Sequence, residues 1–164
     1  MKTLFLIRHA KSSWDQPNLN DIDRPLNERG NTNAPLMAKR ATKRGTPDLI
    51  LCSPAKRARE TVKHMQPHWF PKKDVKIEPA LYDGTASEVL DLVASTDDVF
   101  ESIALFFHNP TITHLNQLLS GSMTVHFPTC AISCLKFDGN YWNELEVASC
   151  SLINFDFPKK NQDL

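Results

Sequence analysis

Short, almost unbroken apolar runs that alternate with polar, helix-forming stretches place the strongest constraint on how this chain folds. Four such runs fit strands, at residues 4–7, 48–52, 76–81 and 103–107. The first, second and fourth are nearly continuous in apolar residues, as expected for strands covered by helices on both faces. Strands that alternate with helices favour a mostly parallel sheet with right-handed connections. The expected fold is a three-layer α/β/α arrangement.

Four stretches carry the signals of helices, at residues 27–43, 53–65, 86–94 and 112–119. Pro35 lies inside the first and predicts a kink or a late start, and Gly45 marks its end. Ser53 followed by Pro54 predicts the N-terminal cap of the second helix. Each helix therefore connects two predicted strands or follows the last of them.

The C-terminal part has a different pattern, which predicts an antiparallel edge to the sheet. Residues 132–137 and 141–147 flank the turn sequence Asp138-Gly139-Asn140 and are typical of a hairpin. Residues 151–155 fit one more short strand. The polar residues 158–164 are expected to form a flexible tail. We therefore expect a single domain over residues 1–157.

Charge and cysteine content restrict the class of protein. Lys plus Arg and Asp plus Glu number 19 each, so no net charge attracts nucleic acid or an anionic membrane. The apolar run at residues 4–7 is too short for a signal peptide, and no stretch reaches transmembrane length. The four cysteines form no Cys-x-x-Cys pair and suit buried, reduced thiols. These features predict a cytoplasmic protein that binds neither nucleic acid nor membrane.

Polar residues follow the carboxyl ends of the predicted strands, where open α/β sheets bind ligands. They are Arg8 and His9 after the first strand, Ser53 and Arg57 after the second, Asp83 after the third, and His108 and Asn109 after the fourth. One histidine at a strand end is usually structural, but two at corresponding ends, with arginines, favour a site. Arginine matches the planar geometry of phosphate or carboxylate oxygens. The sequence therefore predicts a binding site for a small dianion.

Two other spacings are compatible with metal ligands but lack a complete set. His64 and His68 are four residues apart, yet Pro67 is expected to end the helix between them, and no nearby carboxylate or cysteine adds a ligand. Cys130 and Cys134 lie where a loop enters a strand, where packing is the commoner role. We therefore expect neither a metal nor another cofactor.

Four segments, in order, resemble the histidine phosphatase superfamily and especially its short SixA-type branch of phosphohistidine phosphatases. They are LFLIRHAKSSW, DRPLNERG, CSPAKRARET and LFFHNP, within about residues 4 to 110. Ala10 stands where the family's Arg-His-Gly signature most often has glycine. The resemblance implies a phosphoglycerate-mutase-like fold and a phosphatase that needs no metal. It also implies a phosphorylated substrate and inorganic phosphate as the product.

The resemblance further implies roles for individual residues. His9 is similar to the nucleophile that accepts the phosphoryl group, Arg8 and Arg57 to its phosphate ligands, and His108 to the second histidine that contacts the transferred group. Arg24 matches a further phosphate-binding arginine of the short branch. Because neighbouring cations repel a proton, they favour the neutral imidazole that the nucleophile requires.

Four other residues are weaker candidates. Asp83 stands where larger relatives carry a glutamate that serves as general acid, although a turn formed by Asp-Gly explains it as well. Trp14 either lines the mouth of the cleft or anchors a loop. Ser53 and Asn109 are candidate substrate-binding residues because they lie at strand ends.

The substrate class is open between a protein and a small molecule. Between the Arg57 helix and the His108 strand the sequence supplies one strand and one helix, so a large lid is not expected. An uncovered site favours phosphohistidine on a protein as the substrate. The P–N bond of phosphohistidine is labile and therefore also needs less help from an acid. The alternatives are a phosphatase of small phosphate esters with the same mechanism, and a noncatalytic phosphate-binding module.

Overall fold

The computed structural model describes residues 1–123 and 126–160, and in this part of the chain six strands form one sheet. The strands are β1 (Lys2–Arg8), β2 (Leu49–Cys52), β3 (Val75–Ile77), β4 (Ser102–Phe107), β5 (Ile132–Phe137) and β6 (Cys150–Asp156). Their order across the sheet is β3-β2-β4-β1-β5-β6. The first four are parallel to one another, whereas β5 is antiparallel to β1 and to β6. The mostly parallel sheet is confirmed.

Helices cover both faces of this sheet. They are α1 (Glu28–Ala41), α2 (Lys56–Trp69), α3 (Ala80–Asp83), α4 (Ala86–Ala94) and α5 (Thr111–Ser120). Along β1, Phe5 and Ile7 pack into the core formed with α1 and α2. Leu4 and Leu6 pack into the core formed with α4 and α5. Because side chains alternate along a strand, the continuous apolar run fills both cores, and the three-layer α/β/α fold is confirmed.

The loop after β1 is held against the start of α1 by a close backbone approach. Asn27 caps α1, with its side chain accepting from the Gly30 amide at 2.9 Å. A Cβ atom at Gly30 would lie 2.3 Å from the Lys11 carbonyl oxygen, so a larger residue there requires the loop to move. Pro35 lies in the interior of α1, which begins at Glu28, so the alternative of a late start is wrong.

Helix α2 differs from the expectation at both ends. Its N-cap is Ala55, which offers no side-chain cap, and the helix continues through Pro67 to Trp69. The Trp69 ring packs edge to face on Phe5 at 5.1 Å, and its indole N–H donates to the Gly45 carbonyl at 2.8 Å. Burial of this large side chain offsets the backbone hydrogen bond that proline removes. The predicted end of the helix at Pro67 is therefore wrong.

Two predicted strands are also corrected. Strand β3 ends at Ile77, and the second half of the predicted strand forms α3, because Pro79 already has helical backbone angles. Residues 141–147 form no strand but include a 3-10 turn at Trp142–Glu144. Trp142 is fully buried and its indole N–H donates to the Phe100 carbonyl at 2.8 Å. The hairpin partner of β5 is β6, near the predicted strand at residues 151–155.

Residues 158–160, the described part of the expected tail, contact the rest of the chain. Pro158 is buried and Lys160 donates to the Phe155 carbonyl, whereas residues 161–164 of the expected tail lie outside the described residues. The cysteines are free and buried: Cys52, Cys130, Cys134 and Cys150. Within residues 1–123 and 126–160, no helix has the length and apolar character needed to cross a bilayer.

Candidate active site

The carboxyl ends of three neighbouring parallel strands bring two histidines together. His9 follows β1, His108 follows β4, and Ser53 follows β2. Since β4 lies between β1 and β2, the first residues beyond these strands meet at one edge of the sheet. The centroids of the His9 and His108 rings are 5.2 Å apart. The structure therefore brings together the two histidines that the sequence predicted at this edge.

His9 is buried and is held as a neutral imidazole. Its Nδ1 lies 2.8 Å from the Ala10 carbonyl oxygen, so Nδ1–H donates there and Nε2 carries the lone pair. Burial, with smaller contributions from the nearby His108, Arg57 and Arg8, lowers the pKa of His9 to about 3, while the hydrogen bond to Ala10 acts in the opposite direction. His9 thus presents a nucleophilic nitrogen at neutral pH.

The backbone around His9 is fixed by long-range hydrogen bonds. The His9 amide donates to the Phe107 carbonyl at 3.2 Å, and the His9 carbonyl accepts from the Cys130 amide at 3.0 Å. The next amide, of Ala10, donates to the Thr61 hydroxyl at 2.9 Å. Ala10 itself is fully buried. A small side chain is therefore needed at this position, in agreement with the usual glycine of the family.

His108 is oriented by Ser53. Its Nε2 lies 2.7 Å from Ser53 Oγ, and this oxygen also accepts from the Ala55 amide at 3.2 Å. The hydroxyl oxygen has two lone pairs and one proton, so it pairs with Nε2 in either tautomer of His108. Nδ1 is buried and has no described partner. Burial, and then the charge of Arg57, lower the pKa of His108 to about 4.

Two buried arginines share one carboxylate, that of Asp21. Arg57 lies in the first turn of α2 and donates to Asp21 twice, to its carbonyl at 2.7 Å and its carboxylate at 3.0 Å. Arg24 donates from Nε to the same carboxylate at 3.3 Å and from Nη1 to Ser12 Oγ at 2.9 Å. The Nε of Arg57 is buried without a described partner. This pair forms a cationic wall beside His108.

Asp21 and Tyr82 are site residues that the sequence did not indicate. The Tyr82 hydroxyl donates to the Asp21 carboxylate at 2.7 Å, and the Tyr82 ring packs edge to face on His108 at 5.6 Å. Burial alone would raise the pKa of Asp21, but hydrogen bonds from Tyr82 and Arg57 lower it to about 2. The spacing of Asp21 and Arg24, three residues apart in a turn, is the one local signal for their ion pair.

Arg8 directly precedes His9 and contacts the segment before β5. Its Nη1 donates to the Phe127 carbonyl at 2.9 Å, and its Nε is buried without a described partner. Burial, and then the charge of Arg57, lower the pKa of Arg8. Asn109 also donates to the Phe127 carbonyl, at 3.1 Å, so its side chain helps to position the segment that Arg8 contacts. Together, Arg8, His9, Arg24, Arg57 and His108 are called the phosphate site below, after the ligand that the family resemblance implies for them.

Other predicted residues lie at the margin of this site. Trp14 is 72% exposed, but its ring stacks on the Arg24 guanidinium with the Arg24 Cζ atom 3.6 Å from the ring centroid. Asp83 is exposed and makes no hydrogen bond or ion pair with the described residues. Arg59 is exposed on α2 and donates to the Pro54 carbonyl at 3.0 Å. Trp14 thus contacts a site arginine directly, whereas Asp83 does not.

No group of three His, Cys, Asp or Glu residues that could hold a metal ion occurs in the described part of the chain. His64 and His68 do lie on one helix, because α2 continues through Pro67.

Comparison with known proteins identifies similar chains. The model of the histidine phosphatase superfamily (branch 1) matches residues 4–86. An uncharacterized chloroplastic protein of Arabidopsis thaliana is 36% identical over 154 residues, which cover 87% of this chain and 70% of that protein. A SixA structure from Agrobacterium tumefaciens, named as a candidate phosphohistidine phosphatase, superposes with a TM-score of 0.80 at 29% identity and covers 96% of this chain and 98% of its own. A SixA structure from Nakamurella multipartitia, named likewise, gives 0.83 at 25% identity and 96% coverage of both chains.

Proposed function

The chain belongs to the histidine phosphatase superfamily, and we propose that it removes the phosphoryl group from phosphohistidine on a protein through a covalent intermediate at His9. The observation that carries this proposal is the state of His9, a buried neutral imidazole whose Nδ1–H is fixed on the Ala10 carbonyl. Its Nε2 is free to attack, and cations surround it. The likeness to SixA structures supports phosphohistidine as the substrate class.

In the first step, Nε2 of His9 forms a bond to phosphorus and the bond from phosphorus to the leaving imidazole breaks. The electron pair of the broken bond stays on the leaving nitrogen, which gains a proton from solvent. Phosphoryl transfer of this kind needs alignment and compensation of charge on three equatorial oxygens. Arg8, Arg24 and Arg57 supply that charge. In the second step, the oxygen of a water molecule forms a bond to phosphorus, and the bond from phosphorus to Nε2 breaks with its electron pair left on Nε2. The water's proton passes to solvent, and inorganic phosphate leaves.

His108 acts in this proposal as a neutral hydrogen-bond donor. We infer that the Ser53 hydroxyl donates to Nε2, which leaves the ring proton on Nδ1, a buried atom without a described partner. A buried donor without a partner costs free energy, which a phosphoryl oxygen accepting from Nδ1 would recover. The low pKa of His108, about 4, keeps it neutral at the same pH as His9.

Asp21 acts as an internal counter-ion for the arginines. Buried cations are costly without a partner, and the Asp21 carboxylate meets both Arg24 and Arg57. A bound phosphoryl group competes for the same guanidinium donors. Because the side chain of Asp21 is 51% exposed, it is free to withdraw toward solvent when the dianion binds.

The position of Asp83 favours phosphohistidine over a phosphate ester. An alkoxide leaves poorly unless an acid protonates it, so an ester phosphatase needs a carboxylic acid within reach of the leaving oxygen. Asp83 is exposed and has no described partner in the phosphate site, where its neighbour Tyr82 lies instead. The P–N bond is labile and requires less help from an acid.

The test is phosphate release from a phosphohistidine-bearing protein. We expect release by the parent and a loss of about 10³-fold or more in His9→Ala, because the nucleophile is gone. The matched control is His114→Ala, which changes an exposed histidine on α5 and should leave the rate within about twofold. Equal rates in the two variants would contradict the proposal.

The two alternatives give different results in the same assay. A phosphatase of small esters would release phosphate from such esters and not from phosphohistidine. A noncatalytic phosphate-binding module would release phosphate from neither, while still binding inorganic phosphate.

A further inference from the structure

A cavity of about 400 Å³ opens beside the phosphate site on the side of Arg8. Its polar wall comes from the loop after β1, the start of α1 and the segments before β5 and after β6, and includes Arg8, Lys11, Arg29, His126 and Lys159. Phe157, Pro128 and Pro158 form an apolar part of the wall. We call this space the basic cavity. Its volume lies within the usual range for ligand pockets.

The cations of the basic cavity have no counter-ion among residues 1–123 and 126–160. Arg8, Lys11, Arg29 and Lys159 carry four positive charges, and the described lining residues include no aspartate or glutamate. Lys11, Arg29 and Lys159 make no ion pair with any described residue. The whole chain has equal numbers of acidic and basic residues. This concentration of positive charge is therefore local.

The other end of α1 shows that this chain does pair its arginines elsewhere. Arg40, in the last turn of α1, donates from Nε to the Asp156 carboxylate at 3.0 Å and from Nη2 to the same group. Arg29, in the first turn, has no carboxylate partner in the described part of the chain. Both arginines lie near the C-terminal segment, but Arg40 meets Asp156 there, whereas Arg29 shares the basic cavity with Lys159. The end of α1 whose arginine has no described carboxylate partner is therefore the end next to the phosphate site.

Arg8 connects the two regions. It belongs to the phosphate site, where its charge acts on His9, and it also lines the basic cavity. Lys11 follows His9 by two residues, so the chain itself runs from one region into the other. A substrate whose phosphoryl group reaches His9 thus places its neighbouring groups within reach of the basic cavity.

We propose that the basic cavity binds a second anionic group of the substrate, a carboxylate or a phosphate, next to the phosphoryl group that is transferred. This inference rests on the proposed function for the identity of the first group. Exposed cations without partners attract an anion at small desolvation cost, and they contribute to recognition and association rate. The cavity would thus select phosphohistidines with acidic neighbours.

The test separates the basic cavity from the phosphate site by charge-neutralising variants that leave the latter intact. One triple variant carries Lys11→Gln, Arg29→Gln and Lys159→Gln. The matched control carries Lys39→Gln, Lys63→Gln and Lys72→Gln, at exposed positions on α1, on α2 and just after α2. Both variants lose three positive charges and keep Arg8, Arg24 and Arg57. A difference between them therefore reports on the basic cavity alone.

Binding is measured first, with a fluorescent tetra-aspartate peptide and with inorganic pyrophosphate at low salt. We expect the cavity variant to bind at least one probe about tenfold more weakly than the parent, because three partly exposed ion pairs together contribute about that much to binding. We expect the affinity of the control variant to change by less than about threefold. A larger effect on the peptide assigns the site to a protein segment, and a larger effect on pyrophosphate to a small polyphosphorylated substrate. Equal weakening in both variants, or no binding by the parent, overturns the proposal.

Turnover separates this proposal from the proposed function. With phosphohistidine peptides that have acidic or neutral neighbours, we expect the cavity variant to raise KM about tenfold for the acidic peptide only. Equal KM values for the two peptides in the parent would overturn the second anion site while leaving the phosphatase proposal intact. Absence of turnover by the parent would overturn the phosphatase proposal, and the binding result would then decide the cavity proposal by itself.

Discussion

The phosphate site and the basic cavity are two cationic regions that meet at Arg8. They differ in the burial of their cations and in whether these cations pair with a described carboxylate. In the first, Arg24 and Arg57 are buried and share the Asp21 carboxylate. In the second, Lys11, Arg29 and Lys159 are exposed and have no described carboxylate partner. A buried cation needs an internal partner because it has lost its water, whereas an exposed one stays hydrated. We infer from this difference that the first region holds the transferred group in a fixed position, whereas the second attracts an anionic ligand.

The strongest test of this comparison removes a cation from the phosphate site. We expect Arg57→Gln to lower kcat/KM by about 10²- to 10³-fold, because a fixed charge on the transferred group is lost. The measurement is phosphate release from a phosphohistidine protein, with thermal unfolding to confirm that the variant is folded.

Arg59→Gln is the matched control, since Arg59 is an exposed arginine on the same helix. We expect it to retain activity within about threefold. If Arg57→Gln and Arg59→Gln had equal effects, burial and pairing would not distinguish the catalytic arginine from a surface one.

Acid should destabilise the phosphate site through its histidines. The pKa values of His9 and His108 are lowered from 6.5 to about 3 and about 4, so at intermediate pH the unfolded chain binds protons that the folded chain does not. Stability is therefore complete above about pH 6.5 and falls as the pH decreases toward 4. We expect a loss of the order of 1–2 kcal/mol per histidine near pH 5, measured by urea unfolding.

The variant His9→Asn should flatten this pH dependence, because one of the two groups is gone. His114→Asn, at an exposed position, should leave it as in the parent. The Asp21 carboxyl, with a pKa of about 2, loses its stabilising charge only at still lower pH. An identical slope between pH 6.5 and 4 in all three proteins would refute the assignment of His9 as a buried neutral group.

The smallest expected effect concerns the counter-ion itself. Asp21→Asn removes the carboxylate that competes for Arg24 and Arg57, so inorganic phosphate should bind about three- to tenfold more tightly. Isothermal titration with phosphate measures this change. Asp83→Asn removes an exposed carboxylate that has no described partner in the site, and phosphate affinity should stay within about twofold. Weaker phosphate binding in Asp21→Asn would show that Asp21 positions the arginines more than it competes for them.

The sequence predicted those features that depend on short segments. The apolar run of β1 ends directly at Arg8 and His9, and that of β4 at His108, so strand ends located the two histidines. Ser53 was predicted as a helix cap and as a candidate substrate-binding residue. It does not cap α2, and its hydroxyl bonds to His108. The local sequence thus predicted where Ser53 lies, whereas a contact with a distant segment determines the hydrogen bond that it makes.

Features that depend on distant segments were not predictable. Tyr82 contacts Asp21 across 61 positions of sequence, and no local pattern connects these two residues. The residues of the basic cavity come from four separate segments. Because acidic and basic residues are equal in number over the whole chain, its net charge does not indicate a local excess of positive charge. The predicted strand at residues 141–147 is wrong because burial of Trp142 outweighed the local signal of a hairpin turn. Single-domain organisation over residues 1–157 stays a prediction.

The most direct test of the central claim is to trap the phosphorylated enzyme. A protein carrying labelled phosphohistidine is mixed with this protein, the reaction is stopped with alkali after milliseconds to preserve P–N bonds, and the labelled residue is mapped by peptide mass spectrometry. We expect transient label on His9 that decays as phosphate appears, and none in His9→Asn. Turnover with label on His108, or with no label on the enzyme at any time, would contradict it.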